Sequence, residues 1–86
     1  MRVRIPTPLR SYTGGEPNVV AVGATIRELL DDLDRQYPGI AFRVVDEQGR
    51  LRQHMVVFVG ADRCRDLDTA VPAVDEVVLM QALSGG

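Results

Sequence analysis

An α+β fold, with one main helix packed across one face of a mixed sheet, is predicted by three observations. The opening "RVRIP" alternates strictly, with Val3 and Ile5 on one side and Arg2 and Arg4 on the other, which is the period of a half-buried strand. "TIRELLDDLDRQYPG" carries a helix start, an apolar stripe and a stop. "HMVVFVG" and "EVVLMQAL" are apolar runs rich in β-branched residues, as central strands are.

The first strand ends at Pro6 and Pro8, and "SYTGGEP" follows as a turn leading into "NVVAV" (18–22), a second strand in hairpin arrangement. In the helical segment Thr25 and Glu28 form a T-x-x-E capping box, Ile26, Leu29, Leu30 and Leu33 repeat at helical spacing, and Pro38 with Gly39 stop the run. Asp31, Asp32, Asp34 and Arg35 fall mainly on the opposite, wet side and receive no function. "IAFRVV" (40–45) fits a short helical turn or an irregular covering segment, and its periodicity does not decide. "DEQGR" reads as a turn, 54–60 as a central strand, "RCR" (63–65) as a short strand, "DLDTAVPAVD" as a connection and 76–83 as the last strand. The order β, β, α, β, short β, β is the β-grasp arrangement.

The 86 residues have room for one small domain, here residues 1–86, near the size at which a single core only just suffices. No apolar run approaches the roughly 20 residues of a membrane span, and "MRVRIPTPLR" lacks the continuous apolar region of a secretion signal. A cytoplasmic protein that does not enter a membrane is expected. Cys64 is the only cysteine and His54 the only histidine, so neither an internal disulfide nor a Cys/His metal site is expected. A net charge of −2 without a dense basic stretch argues against nucleic acid, which demands a cationic face. All ten positive side chains are arginine, so no side-chain amine is available as an acyl acceptor or Schiff-base nucleophile.

The sequence closes on "QALSGG", a strand running into a small residue and two glycines. With no Cβ, Gly85 and Gly86 suit an end that threads a narrow channel, and Ser84 is small to the same effect. If residues 82–86 form a flexible extended tail, they reach about 17 Å beyond the sheet at 3.3 to 3.6 Å per residue. A terminal carboxylate has a pKa of about 3.3 to 3.7 and is a poor electrophile at neutral pH, so such an end must be activated before it reacts.

Three stretches, "IPTPLRSYTGG", "TIRELLDDLDRQYPGI" and "VDEVVLMQALSGG", together make a domain that resembles the ubiquitin-like sulfur carriers of the MoaD/ThiS family across essentially its whole length. The first stretch is most like the branch that serves cysteine synthesis, because the phenylalanine-rich segment of the molybdopterin subunits is missing. Proline is common before the tail in the family, and Gln81 stands there instead. The resemblance implies that Gly86 is adenylated by an E1-like activating and sulfurtransferase enzyme using ATP and magnesium, then converted to a thiocarboxylate. The thiocarboxylate then acts as a nucleophile on an acceptor. In the cysteine-forming branch that acceptor belongs to a PLP-dependent cysteine synthase, and the product is later released by a protease. The carrier binds no cofactor and no metal itself and has no catalytic residue; it is a cosubstrate, not an enzyme. The small subunit of molybdopterin synthase, a thiamine-pathway carrier and a ubiquitin-like modifier use the same kind of end and stay open as alternatives.

Docking requires a surface besides the tail. If Val77, Leu79, Met55, Val57 and Val59 point to the core, the period of two sends Val78, Met80, Val56 and Phe58 to the open face of the sheet. There they form one apolar patch for a partner, unless residues 40–53 or a second copy cover it. Leu83, Ser84 and Gly85 are expected to be read by the partner's channel, with Leu83 at its mouth. Asp62, Asp66, Asp68, Asp75 and Glu76 are candidates for steering a basic partner or for an ordinary solvated loop. Arg63 and Arg65 flank Cys64 in sequence but alternate away from it, so a buried, inert thiol is expected. His54 has no nucleophile beside it and is read as a strand-edge residue.

Overall fold

The computed structural model describes residues 1–72 and 76–82. Strands β1 (Arg2–Arg4), β2 (Asn18–Val20), β3 (Met55–Val59), β4 (Asp62–Cys64) and β5 (Glu76–Gln81) form one sheet in the order β2-β1-β5-β3-β4. β1 runs parallel to β5, and all other neighbours are antiparallel. The expected hairpin of the first two strands is present, with Val3 opposite Val19. β2 is shorter than the expected 18–22 because β1 ends its pairing at Arg2; beyond it Ala21 N–H reaches the Met1 carbonyl at 3.0 Å.

Helix α1 (Ile26–Gln36) starts at Thr25, whose hydroxyl accepts from Glu28 N–H at 3.2 Å, satisfying a donor that the helix start leaves without a partner. The Glu28 carboxylate accepts from Ala24 N–H instead of from the cap residue itself. The 66–71 loop completes the cap, since Ile26 and Arg27 donate to the carbonyls of Thr69 (3.1 Å) and Leu67 (2.8 Å). Ile26, Leu29, Leu30 and Leu33 are buried against Val3, Val19, Met55, Val57, Val77 and Leu79. This is the predicted stripe meeting the predicted inward residues.

Segment 40–45, ambiguous in sequence, is a second helix, α2 (Ile40–Val44). Ile40 and Val44 enter the same core and Leu51 is buried with them, so this segment belongs to the helical layer and does not cover the other sheet face. Asp34 joins the two helices by accepting from Gly39 and Ala41 N–H groups at 3.0 and 3.2 Å. Asp32 accepts from Val22 N–H at 3.0 Å, from Gln36 and from Arg35. These two aspartates, read as a wet face only, therefore tie elements together. The bond from Val22 N–H, more than any other influence, holds the Asp32 carboxyl below the usual aspartate range, while burial pulls the other way.

The stretch after β1 is also more ordered than the expected turn. Thr7–Thr13 is a 3₁₀ helix that starts with Pro near its first position and ends at Gly14 with φ of 65°. Its Leu9 is buried, and the buried Thr13 hydroxyl donates to the Glu16 carbonyl at 2.8 Å. Proline suits a helix start because its missing N–H is not needed there, so residues that end a strand also begin this helix.

Candidate functional site

The two central strands place the four outward residues side by side. In the β3–β5 register Val56 faces Met80 and Phe58 faces Val78, and paired residues in a ladder share a face. Their inward neighbours Val57 and Val77 are 0% exposed, whereas Met80 is 47% exposed and Val56, Phe58 and Val78 are half-buried. The quartet is thus one contiguous apolar patch on the side away from the helices.

Arginines border that patch, a feature missed in sequence although the period of two contained the signal. Arg4 lies opposite Val78 in the β1–β5 register and Arg63 opposite Phe58 in the β3–β4 register. One row across the sheet therefore reads Asn18, Arg4, Val78, Phe58, Arg63. Arg2 reaches Glu76 at 3.8 Å on the exposed surface, a weak pair at that exposure. The patch is apolar in the middle and cationic at both sides.

The acidic residues grouped in sequence are largely engaged elsewhere. Asp66 accepts from Asp68 N–H at 2.9 Å inside its loop, and Asp68 accepts from Arg27 at 3.0 Å. Glu76 lies beside Arg2, and Asp75 lies outside the described residues. Cys64 is half-buried, not fully buried as expected: β4 is an edge strand, so one flank of the thiol stays open. Arg65 donates to the carbonyls of Met55 and Leu51, both at 3.2 Å, so its charge is spent on backbone. Among the described residues no group of three or more His, Cys, Asp or Glu side chains stands where a metal ion would be held, and no helix is long and apolar enough to cross a membrane.

The root of the tail is well defined. β5 extends past β1 to Gln81, and the next residue, Ala82, still donates to the His54 carbonyl at 2.7 Å. This fixed start sits at the end of the apolar patch, next to Met80. Leu83, Ser84, Gly85 and Gly86, named above as the reading and reacting end, lie outside the described residues.

A mixed five-stranded β-grasp sheet with its helices layered on one face defines a ubiquitin-like domain. A family model described as ThiS family matches residues 3–86, and the chain belongs to that family. It is homologous to the sulfur carrier protein CysO of Mycobacterium tuberculosis, with 36% identity over 89 residues covering 98% of this chain and 96% of the relative. A chain in the crystal structure of the Amycolatopsis orientalis BexX/CysO complex superposes with a TM-score of 0.90 at 38% identity, covering 99% of this chain and 98% of that one. SAMP1 from Haloferax volcanii has the same fold, with a TM-score of 0.77, 30% identity, and coverage of 100% and 98%.

Proposed function

We propose that this protein is a sulfur carrier whose Gly86 carboxylate becomes a thiocarboxylate and supplies sulfur in biosynthesis, that of cysteine or a related sulfur-containing metabolite. The observation that carries the reading is the near full-length homology to CysO sulfur carriers, joined to a tail root held beside an exposed apolar face. In this reading the carboxylate oxygen of Gly86 attacks the α-phosphorus of ATP, with magnesium held by the activating enzyme, and pyrophosphate leaves. A sulfide-level nucleophile then displaces AMP, and the new C–S bond leaves a thiocarboxylate anion. The sulfur of that anion attacks an electrophilic carbon of the acceptor, held by a second enzyme such as a PLP-dependent cysteine synthase. The chain itself contributes no catalytic group; Val56, Phe58, Val78 and Met80 dock it, and Leu83, Ser84 and Gly85 pass through the partner's channel.

Incubation with ATP, magnesium, an activating enzyme and a sulfide source tests the reading by intact mass and by the mass of a C-terminal fragment. The expected result is exchange of one oxygen for one sulfur at Gly86, abolished when an alanine is added after Gly86. An unchanged mass with every activating enzyme tried would overturn it. The similarity to H. volcanii small archaeal modifier protein 1, at 28% identity and a TM-score of 0.77, supports a second reading, in which the activated carboxyl forms amide bonds to other proteins. Amide adducts in place of the thiocarboxylate would select it.

A further inference from the structure

The sheet has a notch beside the tail root. Ala82 N–H donates to the His54 carbonyl, and the Glu76 carbonyl accepts from Gly60 N–H, so the even-numbered residues of β5 direct their backbone groups toward β3. By the period of two, Leu79 and Gln81 direct theirs to the opposite edge. There β1 has already ended, its last pair being Arg4 with Val78. Ile5 N–H turns away to the Pro17 carbonyl at 2.8 Å, Pro6 has no N–H to offer, and its carbonyl accepts from Leu9 at 2.9 Å. Among the described residues, no hydrogen bond takes up the Gln81 N–H, or the Leu79 and Gln81 carbonyls, on that side.

A groove of about 720 Å³ occupies this gap, with Leu79–Ala82 on one wall and Pro6–Pro8 on the other. Two arginines line it. Arg4 is exposed and pairs with no carboxylate among the described residues. Among the described residues Arg10 spends only its Nε–H, on the Ile5 carbonyl at 3.0 Å, and no described residue takes up its terminal nitrogens. An unpaired strand edge of three residues, about 10 Å at 3.3 Å per residue, next to two cations is a template for strand addition by a peptide that brings carboxylates.

We propose that this notch binds an extended, acidic segment of a partner protein, which lies beside β5 as a short added strand, hydrogen-bonded to Leu79 and Gln81 and ion-paired with Arg4 and Arg10. A partner holding this site grips the tail at its root while its channel takes the end. The inference concerns recognition and does not depend on the chemistry assigned to Gly86. The alternative occupant, this chain's own tail, is an outcome that the test below separates from a partner peptide.

The test uses the full chain, isotopically labelled, and three capped octapeptides: alternating valine and glutamate, the same with lysine for glutamate, and the glutamate peptide N-methylated at alternate amides. The glutamate peptide is expected to shift the amides of Arg4, Leu79 and Gln81 and to slow exchange of Gln81 N–H about tenfold at saturation. The lysine and N-methyl peptides, and the Arg4→Glu and Arg4→Gln variants, should each bind about tenfold more weakly. Shifts centred on Val56 and Phe58, equal binding of the glutamate and lysine peptides, or unchanged exchange at Gln81 would overturn the proposal. Tenfold tighter peptide binding by a chain ending at Ala82 would also overturn it, by assigning the groove to this chain's own tail.

Discussion

The two faces of the sheet are built from the same strands, one residue apart, yet they differ sharply in burial. On the helical face Val57, Val77 and Leu79 are 0 to 1% exposed and lock into α1 and α2. On the other face Val56, Phe58, Val78 and Met80 lie in register with no described element above them, bordered by Arg4 and Arg63. The first face holds the fold together by removing apolar area from water, at about 25 cal/mol per Å². The second leaves apolar area partly open to water, the kind of surface that commonly marks an interaction site. With the docking role proposed above for the outward residues, stability and recognition should be separable by mutation, although the residues concerned alternate along each strand.

The sharpest way to break that separation is a core truncation. Leu29→Ala removes a side chain that is 0% exposed and is expected to cost about 2 to 5 kcal/mol in chemical denaturation, enough to lower sulfur transfer merely by unfolding the chain. Gly23→Ala comes next. A Cβ at residue 23 would stand 2.8 Å from the Glu28 carbonyl carbon and overlap the Leu29 backbone, so the loop or the helix start must shift, at about 1 to 3 kcal/mol. The same denaturation curve measures it.

Phe58→Ala tests the other side of the comparison. Its side chain is half-buried on the open face, so the unfolding midpoint should move far less than in Leu29→Ala, while kcat/KM for activation falls about tenfold, as for a docking anchor. If stability falls and activation does not, the open face is structural and the division of labour fails. The smallest effect concerns acid. Because the Val22 N–H bond holds the native Asp32 carboxyl below its ordinary value, the native state binds fewer protons there than the unfolded chain. The stabilisation is full above about pH 4 and is lost as pH falls through the lowered native value. Asp32→Asn should flatten the acid limb of a stability-versus-pH curve and leave the neutral region nearly level.

The strands and α1 were legible because each has a strong period and clear punctuation: Arg2–Val3–Arg4, the Thr25 cap with its leucine stripe, and the valine-rich runs of β3 and β5. The 3₁₀ helix was not, since Pro6, Pro8 and the Gly14-Gly15 pair signal a break in a strand equally well. α2 was ambiguous because five residues are too few for periodicity to separate a helical turn from a covered loop. The outward quartet followed from alternation alone, but its arginine borders depended on which strands are neighbours. The tail reading rests on residues 83–86 as sequence.

What the sequence by itself determined is therefore local: the period of each element, the cap of α1, and the inward and outward sides of β3 and β5. Only the tertiary structure decided the crossover that sets β1 parallel beside β5, the packing of segment 40–51 into the helical layer, and the early end of β1 that leaves Leu79 and Gln81 facing a groove. Periodicity records the side of its own strand on which a residue lies. Which strand stands next to it, and where that neighbour stops, depends on contacts between segments distant in sequence, which a local pattern cannot encode.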